Sequence, residues 1–182
     1  MTAPDRVAAV LLAAGSSQRF GPSNKLLAAL DGRPMLSHVV NMLARFDFAA
    51  RIAVAGEAVV PLLGGFDIVM NDDPARGLSH SLRIGAARAL AHDVDAVLIV
   101  LGDMPFVDAD HIRRLLTADG EIRASAADGV AMPPALFSRA RTAGLATLTG
   151  DRGAHALLAG AVLVPADPET LRDIDTEADL PR

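Results

Sequence analysis

The stretch VLLAAGSSQRFGPSNKLLAALDGRPML, residues 10–36, joins an apolar run to a loop of small, polar and basic residues. The apolar run ends at Gly15, and apolar residues resume after Lys25. Lys25 is the one lysine of the chain, whereas the other 16 of its 17 basic residues are arginine. A strand that opens into a glycine-bearing loop with a single ammonium group is typical of a phosphate-binding site. An ordinary surface loop is the alternative interpretation.

The composition narrows the classes of function. At 182 residues the chain has the length of one ordinary domain, and we predict a single domain over residues 1–182. A net charge of −5, without Trp or Tyr, does not fit a general nucleic-acid binder. The absence of cysteine excludes disulfides, thiolate metal sites and cysteine nucleophiles. The first apolar run is too short to span a membrane, so we expect a cytoplasmic protein with no membrane partner.

Short apolar runs alternate with longer amphipathic ones, which is the pattern of an α/β protein with a mostly parallel sheet flanked by helices. The predicted strands are Val7–Ala13, Arg51–Ala55, Phe66–Met70, Ala96–Leu101, Ile122–Ser125 and Ala161–Val164. The predicted helices are Met35–Phe46, Leu78–Leu90, Asp108–Leu116, Pro134–Arg141 and Asp151–Leu158.

Three loops are expected to meet at one edge of this sheet, because ligands of open α/β sheets bind beyond the carboxyl ends of the strands. They are residues 14–25 after the first strand, 71–81 after the third and 102–107 after the fourth. The first loop matches neither the dinucleotide fingerprint nor the P-loop. Its small residues would still let backbone amides approach a phosphate, and its donors are Ser16, Ser17, Arg19 and Lys25.

Asp103 follows the fourth predicted strand, in the segment LGDMPFV. A carboxylate directly after a buried strand can coordinate a hard cation such as Mg²⁺, which proteins hold with one or two carboxylates plus substrate phosphates. Capping of the following turn is the alternative role for this side chain. A phosphate loop at the same edge of the sheet favours the metal interpretation.

Five segments occur in a characteristic order and spacing: LLAAGSSQRFGPSNKLL, NDDPARGLSHSLRIGA, LGDMPFV, TGDRGAHALL and DIDTEADL. Together they resemble the MobA-like NTP transferases, in particular the molybdenum cofactor cytidylyltransferases. The resemblance implies a Rossmann-like, three-layer α/β fold of the nucleotide-diphospho-sugar transferase type, with Mg²⁺ as cofactor. It also implies transfer of CMP from CTP to a phosphorylated, molybdopterin-type acceptor with release of pyrophosphate, and a molybdoenzyme or its chaperone as partner.

The resemblance further implies roles for individual residues. The nucleotide would be bordered by Leu12, Ala13, Ala14 and Gly15. Its phosphates would be held by Arg19 and Lys25. The base or ribose would be lined by Ser79 and Ser81. Asp103 would bind the metal. Asp175, in DIDTEADL, resembles the position of a second metal ligand, with helix capping as the alternative.

Ala14 predicts the preferred base. The ending Leu12-Ala13-Ala14-Gly15 resembles the cytidylyltransferase form of the motif, whereas the guanylyltransferase form has a second glycine in place of Ala14. A methyl group there would narrow the space for the base, so we expect CTP to be preferred over GTP.

The chain departs from the family pattern on the acceptor side. The family usually has Gly followed by Asn or His before a proline, where this chain reads Val130-Ala131-Met132-Pro133. The resemblance therefore covers the nucleotide half of the site more fully than the acceptor half.

Two other classes of function stay open on the sequence. In a nucleotide-dependent oxidoreductase, Glu57 after the second strand would bind the ribose, but Lys25 and Asp103 would then have no role. A regulatory nucleotide-binding module without catalysis would keep the loop but would not need Asp103. The histidines have no metal-site spacing, and surface or packing roles are expected for His38, His92, His111 and His155, while His80 is placed to touch a ligand.

Overall fold

The computed structural model describes residues 2–15, 20, 24–73, 76–147 and 157–180. Its strands are β1 (Val7–Ala13), β2 (Ala29–Leu30), β3 (Arg33–Pro34), β4 (Ala50–Ala55), β5 (Asp67–Met70), β6 (Ala96–Leu101), β7 (Ile122–Ala127), β8 (Val130–Ser138) and β9 (Val162–Pro165). Its helices are α1 (Met35–Leu43), α2 (Gly77–Leu90), α3 (Ala109–Thr117) and α4 (Arg139–Ala146). Nearly all of the predicted helix Asp151–Leu158 lies outside the described residues.

Seven of these strands form one sheet in the order β5-β4-β1-β6-β8-β7-β9. β1 pairs in parallel with β4 and β6, and the outer pairs β4–β5 and β7–β9 are also parallel. β8 is antiparallel to both of its neighbours. The predicted α/β class with a mostly parallel sheet is therefore confirmed.

The centre of the sheet is buried on both faces, which gives the fold three layers. Every residue of β1 is buried, and its side chains alternate between two apolar clusters. One cluster includes α1 and α3, with Leu36 and Ile112, and the other includes α2 and α4, with Leu82 and Leu145. Continuous apolar runs such as β1 are the sequence signature of strands covered on both sides.

Gly85 lets α2 lie close to the centre of the sheet. A Cβ atom at this position would lie 2.7 Å from Cγ1 of Val10 in β1 and 2.9 Å from Cγ2 of Val54 in β4. Only a residue without a side chain fits such a short separation. This close packing carries the start of α2 to the edge of the sheet where β1 ends.

The predicted helix Pro134–Arg141 is wrong, because its first part belongs to β8. Pro134 is typical of a first helical position, which explains the prediction. In the structure, Ala135, Leu136 and Phe137 instead pair with Ile99, Leu98 and Val97 of β6. Pairing with β6 satisfies that strand's free backbone groups and buries this apolar run. The helix α4 begins only at Arg139, with the Ser138 side chain accepting a hydrogen bond from the Arg141 amide.

The other predicted boundaries agree with the structure to within a few residues. β1 and β6 match their predicted spans, and α3 begins after Asp108, whose Oδ1 accepts a hydrogen bond from the His111 amide at 2.7 Å. Within the described ranges, none of the helices has both the length and the apolar character needed to traverse a lipid bilayer.

Candidate active site

The carboxyl ends of β1 and β6 open onto a cavity of about 260 Å³. The three loops predicted to meet at one edge of the sheet all reach this cavity. Its lining residues are Leu12, Ala14, Gly15, Lys25, Leu26, Gly77, Leu78, Ser81, Leu101 and Asp103. Six of the residues predicted from the sequence therefore lie around one space.

The remaining predicted residues have other positions. Ala13 is buried in the apolar cluster on the α1 side of the sheet and does not line the cavity. Ser79 is half-buried in the first turn of α2 and is also not part of the lining. Arg19, with Ser16 and Ser17, lies outside the described residues, so its predicted contact with phosphate stays a prediction.

Lys25 joins two carboxylates at the mouth of the cavity. Its Nζ atom lies 2.7 Å from Oδ2 of Asp103 and 2.8 Å from Oδ1 of Asp175. The Lys25 side chain is only 11% exposed, whereas Asp175 is 40% exposed. Burial by itself lowers the pKa of Lys25, but the two carboxylates outweigh it and hold this pKa above its ordinary value. Lys25 is therefore a cation at neutral pH.

A short helical turn positions the lysine. Residues Lys25–Leu27 form a single 3₁₀ turn, and Oδ1 of Asn24 accepts a hydrogen bond from the Leu26 amide at 3.0 Å. Capping by Asn24 satisfies a backbone donor that the short turn leaves free. The turn packs its Leu26 side chain into the apolar cluster below the cavity, which fixes the direction of Lys25.

Gly102 holds Asp103 directly above the end of the sheet. Its amide donates a hydrogen bond to the carbonyl oxygen of Leu12 at 2.9 Å. A Cβ atom on Gly102 would lie 3.0 Å from Cδ1 of Leu36 and 3.2 Å from that same carbonyl oxygen. The chain thus turns in a space where a side chain would press against Leu36 and the Leu12 carbonyl group, and Oδ2 of the next residue, Asp103, contacts Nζ of Lys25.

Asp103 has the free acceptor that a metal ligand needs. Its Oδ1 atom is buried and has no hydrogen-bond partner among the described residues. Leaving a buried carboxylate oxygen unpaired is costly, so this atom fits a ligand for a cation. The other carboxylate oxygen of Asp103, Oδ2, bonds to Lys25, so the side chain makes no capping bond to the turn that follows it among the described residues.

Asp175 lies on a segment that hydrogen bonds hold in place both before and after this residue. The Ile174 amide donates to the carbonyl oxygen of Asp103, and the Asp175 and Thr176 amides donate to Oδ2 of Asp179. Thr176 and Asp179 form the capping box of the following turn, so capping does not use the Asp175 side chain. The hydrogen bonds from Thr176 hold the pKa of Asp179 below its ordinary value.

A third carboxylate adds negative charge beside this pair. Burial, followed by the nearby charges of Asp175 and Asp103, raises the pKa of Asp173. The described residues contain no group of three carboxylates or histidines arranged as a complete metal site. Asp103 and Asp175 therefore fit a hard cation that completes its coordination with substrate phosphates and water, as Mg²⁺ does.

Asn71 is a residue that the sequence interpretation missed. It lies directly after β5, is 5% exposed, and donates from Nδ2 to Oγ of Ser81 at 3.0 Å. Its Oδ1 accepts from the Asp73 amide, so both ends of the amide group are held. A polar residue immediately after a predicted strand, at the predicted ligand edge, was the signal that could have identified it. Its role is to orient Ser81 toward the cavity.

Two candidate residues have ordinary surroundings. Nδ1 of His80 accepts a hydrogen bond from Arg83 one turn along α2, and His80 does not line the cavity. Glu57, which an oxidoreductase would need for the ribose, is exposed and also outside the lining. The geometry therefore favours a phosphate and metal site over a dinucleotide site.

Residues 9–167 match the family model of the MobA-like NTP transferase domain. The chain belongs to this family. Among similar proteins, the purine catabolism protein PucB of Bacillus subtilis is 31% identical over 92% of this chain and 90% of its own length. The bifunctional protein GlmU of Rhizorhabdus wittichii is 37% identical over 60% of this chain, which spans only 25% of that protein.

Solved structures similar to this chain have the same fold. The crystal structure of Rv0371c from Mycobacterium tuberculosis superposes with a TM-score of 0.83 at 29% identity, covering 96% of this chain and 95% of that one. The same protein in complex with manganese gives a TM-score of 0.79 at 27% identity and the same coverage. The predicted Rossmann-like fold and the membership in a nucleotidyltransferase family are confirmed. The molybdenum cofactor and CTP go beyond what these relatives show.

Proposed function

We propose that this MobA-like NTP transferase is a metal-dependent enzyme that transfers CMP from CTP to a phosphorylated, molybdopterin-type acceptor. One observation carries the proposal: Lys25, Asp103 and Asp175 converge at the mouth of a cavity that β1 and the start of α2 enclose. An ammonium group and two carboxylates, one with an unpaired oxygen, are suited to a phosphate chain and its cation. A dinucleotide oxidoreductase or a non-catalytic module gives this constellation no role.

Asp103 and Asp175 would hold the Mg²⁺ ion. When bound, Mg²⁺ neutralises charge on the phosphate oxygens. Lys25 would then give up part of its contact with the two carboxylates and turn its ammonium group toward the phosphates of CTP. The manganese complex of Rv0371c supports a divalent metal in this family, with Mg²⁺ as the proposed ion here.

The reaction would be an in-line displacement at the α-phosphorus of CTP. A terminal phosphate oxygen of the acceptor forms the new bond to this phosphorus, while the bond to the oxygen bridging the α- and β-phosphates breaks. Pyrophosphate leaves with that bridging oxygen. A phosphate monoester is already largely ionised near neutral pH, so no general base is needed. Lys25, and by the family resemblance Arg19, would stabilise the charge that develops on pyrophosphate.

The base and ribose would lie against the end of β1 and the start of α2. Leu12, Ala14 and Gly15 supply one side of this space and Gly77 and Ser81 the other. The Ser81 hydroxyl accepts its hydrogen bond from Asn71 and keeps its own proton to donate toward a nucleotide. Arg76–Ser81 would supply the backbone groups that read the base edge. Ala13 and Ser79 do not line the cavity, and we expect them to hold the neighbouring lining residues in position.

The test is incubation with each NTP, Mg²⁺ and purified molybdopterin-type cofactor, with pyrophosphate release and product mass as readouts. We expect pyrophosphate and an acceptor heavier by one CMP group. If the protein binds nucleotide but releases no pyrophosphate with any of the acceptors, the regulatory module is favoured. Hydride transfer to a nicotinamide cofactor would favour the oxidoreductase. A molybdoenzyme or its chaperone, within the cytoplasm, is the proposed receiver of the product.

A further inference from the structure

The ammonium group of Lys25 lies between the two proposed metal ligands. Its Nζ atom is 2.7 Å from Oδ2 of Asp103 and 2.8 Å from Oδ1 of Asp175, and the Lys25 side chain is 11% exposed. We call Asp103 and Asp175 the carboxylate pair. The cation that this pair holds in the structure is therefore part of the protein itself. A divalent metal ion on the same oxygens would have to take its place.

A metal ion and the ammonium group compete even if they bind different oxygens. Oδ1 of Asp103 is buried and has no hydrogen-bond partner among the described residues, but it belongs to the same carboxylate as the oxygen that contacts Lys25. A cation on Oδ1 would therefore lie close to the Lys25 charge. Like charges repel at short distance, and they repel more strongly in a partly buried site than in water. We therefore expect the metal to bind tightly only when Lys25 has moved its charge elsewhere.

Backbone hydrogen bonds hold the carboxylate pair together independently of Lys25. The Ile174 amide donates to the carbonyl oxygen of Asp103 at 2.9 Å, and the Asp175 amide donates to Oδ2 of Asp179 at 3.1 Å. Neither bond involves the ammonium group, so the two carboxylates stay near each other when it leaves. A half-buried charge without its partner is unfavourable, and the pair then attracts a replacement cation.

The Lys25 side chain can change partner while its backbone stays in place. The turn Lys25–Leu27 is fixed by the Asn24 side chain, which accepts a hydrogen bond from the Leu26 amide, and by the burial of Leu26 in the apolar cluster below. The Lys25 side chain itself lines the cavity. Rotation of its flexible stem can carry the ammonium group from the carboxylate pair toward the space proposed for the phosphates.

Lysine suits this exchange better than arginine does. The planar guanidinium of arginine binds a carboxylate through two parallel hydrogen bonds, whereas an ammonium group is a compact charge that accepts many geometries. The chain uses arginine for 16 of its 17 basic residues and lysine only at this position. A residue that must release one anion and bind another is a physical reason for that exception.

We propose that Lys25 couples nucleotide binding to metal binding: its ammonium group keeps a divalent cation from the carboxylate pair until the phosphates of the nucleotide draw it away. The inference rests on the proposed function, since it takes the phosphates to lie in the cavity beside Lys25. Each ligand removes an obstacle to the other. The phosphates free the carboxylates for the metal, and the metal frees the ammonium group for the phosphates, so the coupling is reciprocal.

The first experiment measures Mn²⁺ binding to the intact protein without nucleotide, by calorimetry, in the wild type and in Lys25→Met. Methionine has a stem of similar length and no charge. We expect Lys25→Met to bind Mn²⁺ about tenfold more tightly, within the usual range of coupling between sites. If Lys25 only braced the carboxylates, its loss would let them move apart and would weaken Mn²⁺ binding instead.

Two further variants control this measurement. Arg33→Met removes the same charge at an exposed position outside the cavity lining, and it should change Mn²⁺ affinity by less than about twofold because exposed charges are screened. Adding Asp103→Asn to Lys25→Met should remove the gain in affinity, because the carboxylate pair is then incomplete. A gain that survives Asp103→Asn would place the tighter metal site elsewhere and contradict the inference.

The second experiment follows Lys25 in the wild type by NMR. Because the chain has one lysine, protein labelled with ¹³C-lysine gives the side-chain signals of Lys25 alone. Relaxation of its Cε signal reports fast motion of the side chain. Saturating Mg²⁺ without nucleotide should release the ammonium group and increase this motion. Addition of α,β-methylene-CTP, which cannot release pyrophosphate, should restrain it again.

Equal or weaker Mn²⁺ binding by Lys25→Met would overturn the inference, and so would a Lys25 side chain whose motion does not change at saturating Mg²⁺. Thermal melting checks the variants, and the labelled wild type decides if Lys25→Met fails to fold. Coupling without pyrophosphate release from any acceptor would support the inference and contradict the proposed function. Pyrophosphate release by the wild type, with unchanged Mn²⁺ affinity in Lys25→Met, would overturn the coupling and leave nucleotidyl transfer intact.

Discussion

The backbone amide of Ile174 donates a hydrogen bond to the backbone carbonyl oxygen of Asp103 at 2.9 Å. This bond ties the C-terminal segment to the end of β6 and brings Asp175 within 2.8 Å of Lys25. A second contact joins the same two segments: the guanidinium group of Arg172 lies 4.6 Å from the centre of the Phe106 ring. A backbone hydrogen bond does not depend on the charge of the side chains. We therefore expect Asp103 and Asp175 to stay close to each other whether or not a cation is bound.

Replacing Lys25 tests the phosphate role of the lone ammonium group. Lys25→Ala should lower turnover about 10²-fold, because a preorganised charge that stabilises the transition state is lost. Lys25→Arg should also be poor, since a planar guanidinium does not reproduce the geometry of an ammonium between two carboxylates. Steady-state rates of pyrophosphate release measure both. Arg33→Ala, an exposed basic position outside the cavity, is the control, and a fully active Lys25→Ala enzyme would contradict the assignment.

Replacing the two carboxylates tests the metal assignment. Asp103→Asn should raise the Mg²⁺ concentration needed for half-maximal activity about tenfold or more, because a hard cation needs the charge that the amide lacks. Asp175→Asn should shift it in the same direction by less, since Asp175 is the more exposed ligand. Asp110→Asn on the surface of α3 should leave the titration unchanged. An unchanged Mg²⁺ titration of Asp103→Asn together with a clearly lower melting temperature would show a purely structural carboxylate.

Ala14 tests the basis of nucleotide choice. The wild type should use CTP with a higher kcat/KM than GTP, because the Ala14 methyl group lies in the cavity lining and narrows the space for a purine. Ala14→Gly should move this ratio toward GTP by a modest factor, since steric exclusion by one methyl group is worth about 10-fold to 200-fold at most. The measurement is kcat/KM for both nucleotides with one acceptor. A ratio that does not change on Ala14→Gly would show that the methyl group does not set the preference.

His111 predicts a specific loss of stability in acid. Burial, with the nearby positive charge of Arg114, lowers the pKa of His111 from 6.5 to about 4. The unfolded chain therefore takes up a proton as the pH falls through 6.5, while the folded protein stays unprotonated until about pH 4. Because of this histidine, the free energy of unfolding falls by up to about 3 kcal/mol as the pH drops from 6.5 to 4. Above pH 6.5 the histidine is neutral in both states and this stability is fully present.

The measurement is urea unfolding between pH 7.5 and 4, as a difference between the wild type and His111→Asn. The variant should be less stable at pH 7.5, because it disrupts the hydrogen bonds that His111 makes with Ser125 at 2.7 Å and with Arg114 at 3.0 Å. It should lose less stability on acidification. Parallel curves for the two proteins would show that His111 does not titrate in this range.

Gly85 tests the close packing that places α2. Gly85→Ala should lower the free energy of unfolding by about 1–3 kcal/mol, because the new methyl group meets Val10 and Val54 at less than 3 Å. Gly144→Ala is the matched control in α4, where a Cβ atom would meet nothing within 4 Å. That variant should be neutral or stabilising by up to about 1 kcal/mol, since alanine favours the helix. Equal effects of the two substitutions would contradict the packing argument.

Much of the central sheet could be derived from local sequence. β1 and β6 are continuous apolar runs, and a strand covered on both faces needs little more than such a run. Because parallel strands end at one edge of a sheet, the same pattern also predicts that Lys25 and Asp103 lie close together. Both residues were recognisable in the sequence, because Asp103 follows an apolar run and Lys25 precedes one.

The partnership of Asp175 with Lys25, 150 positions apart, depends on the complete fold. Nothing in the segment around Asp175 shows whether this side chain caps the turn, and in the structure Asp179 takes the capping role. The same holds for β8, where a proline that suits a helix start lies in a strand because β6 needed a partner on that side. Local propensities amount to tenths of a kcal/mol per residue, whereas sheet pairing and burial of four consecutive side chains contribute several, so the long-range contacts prevail.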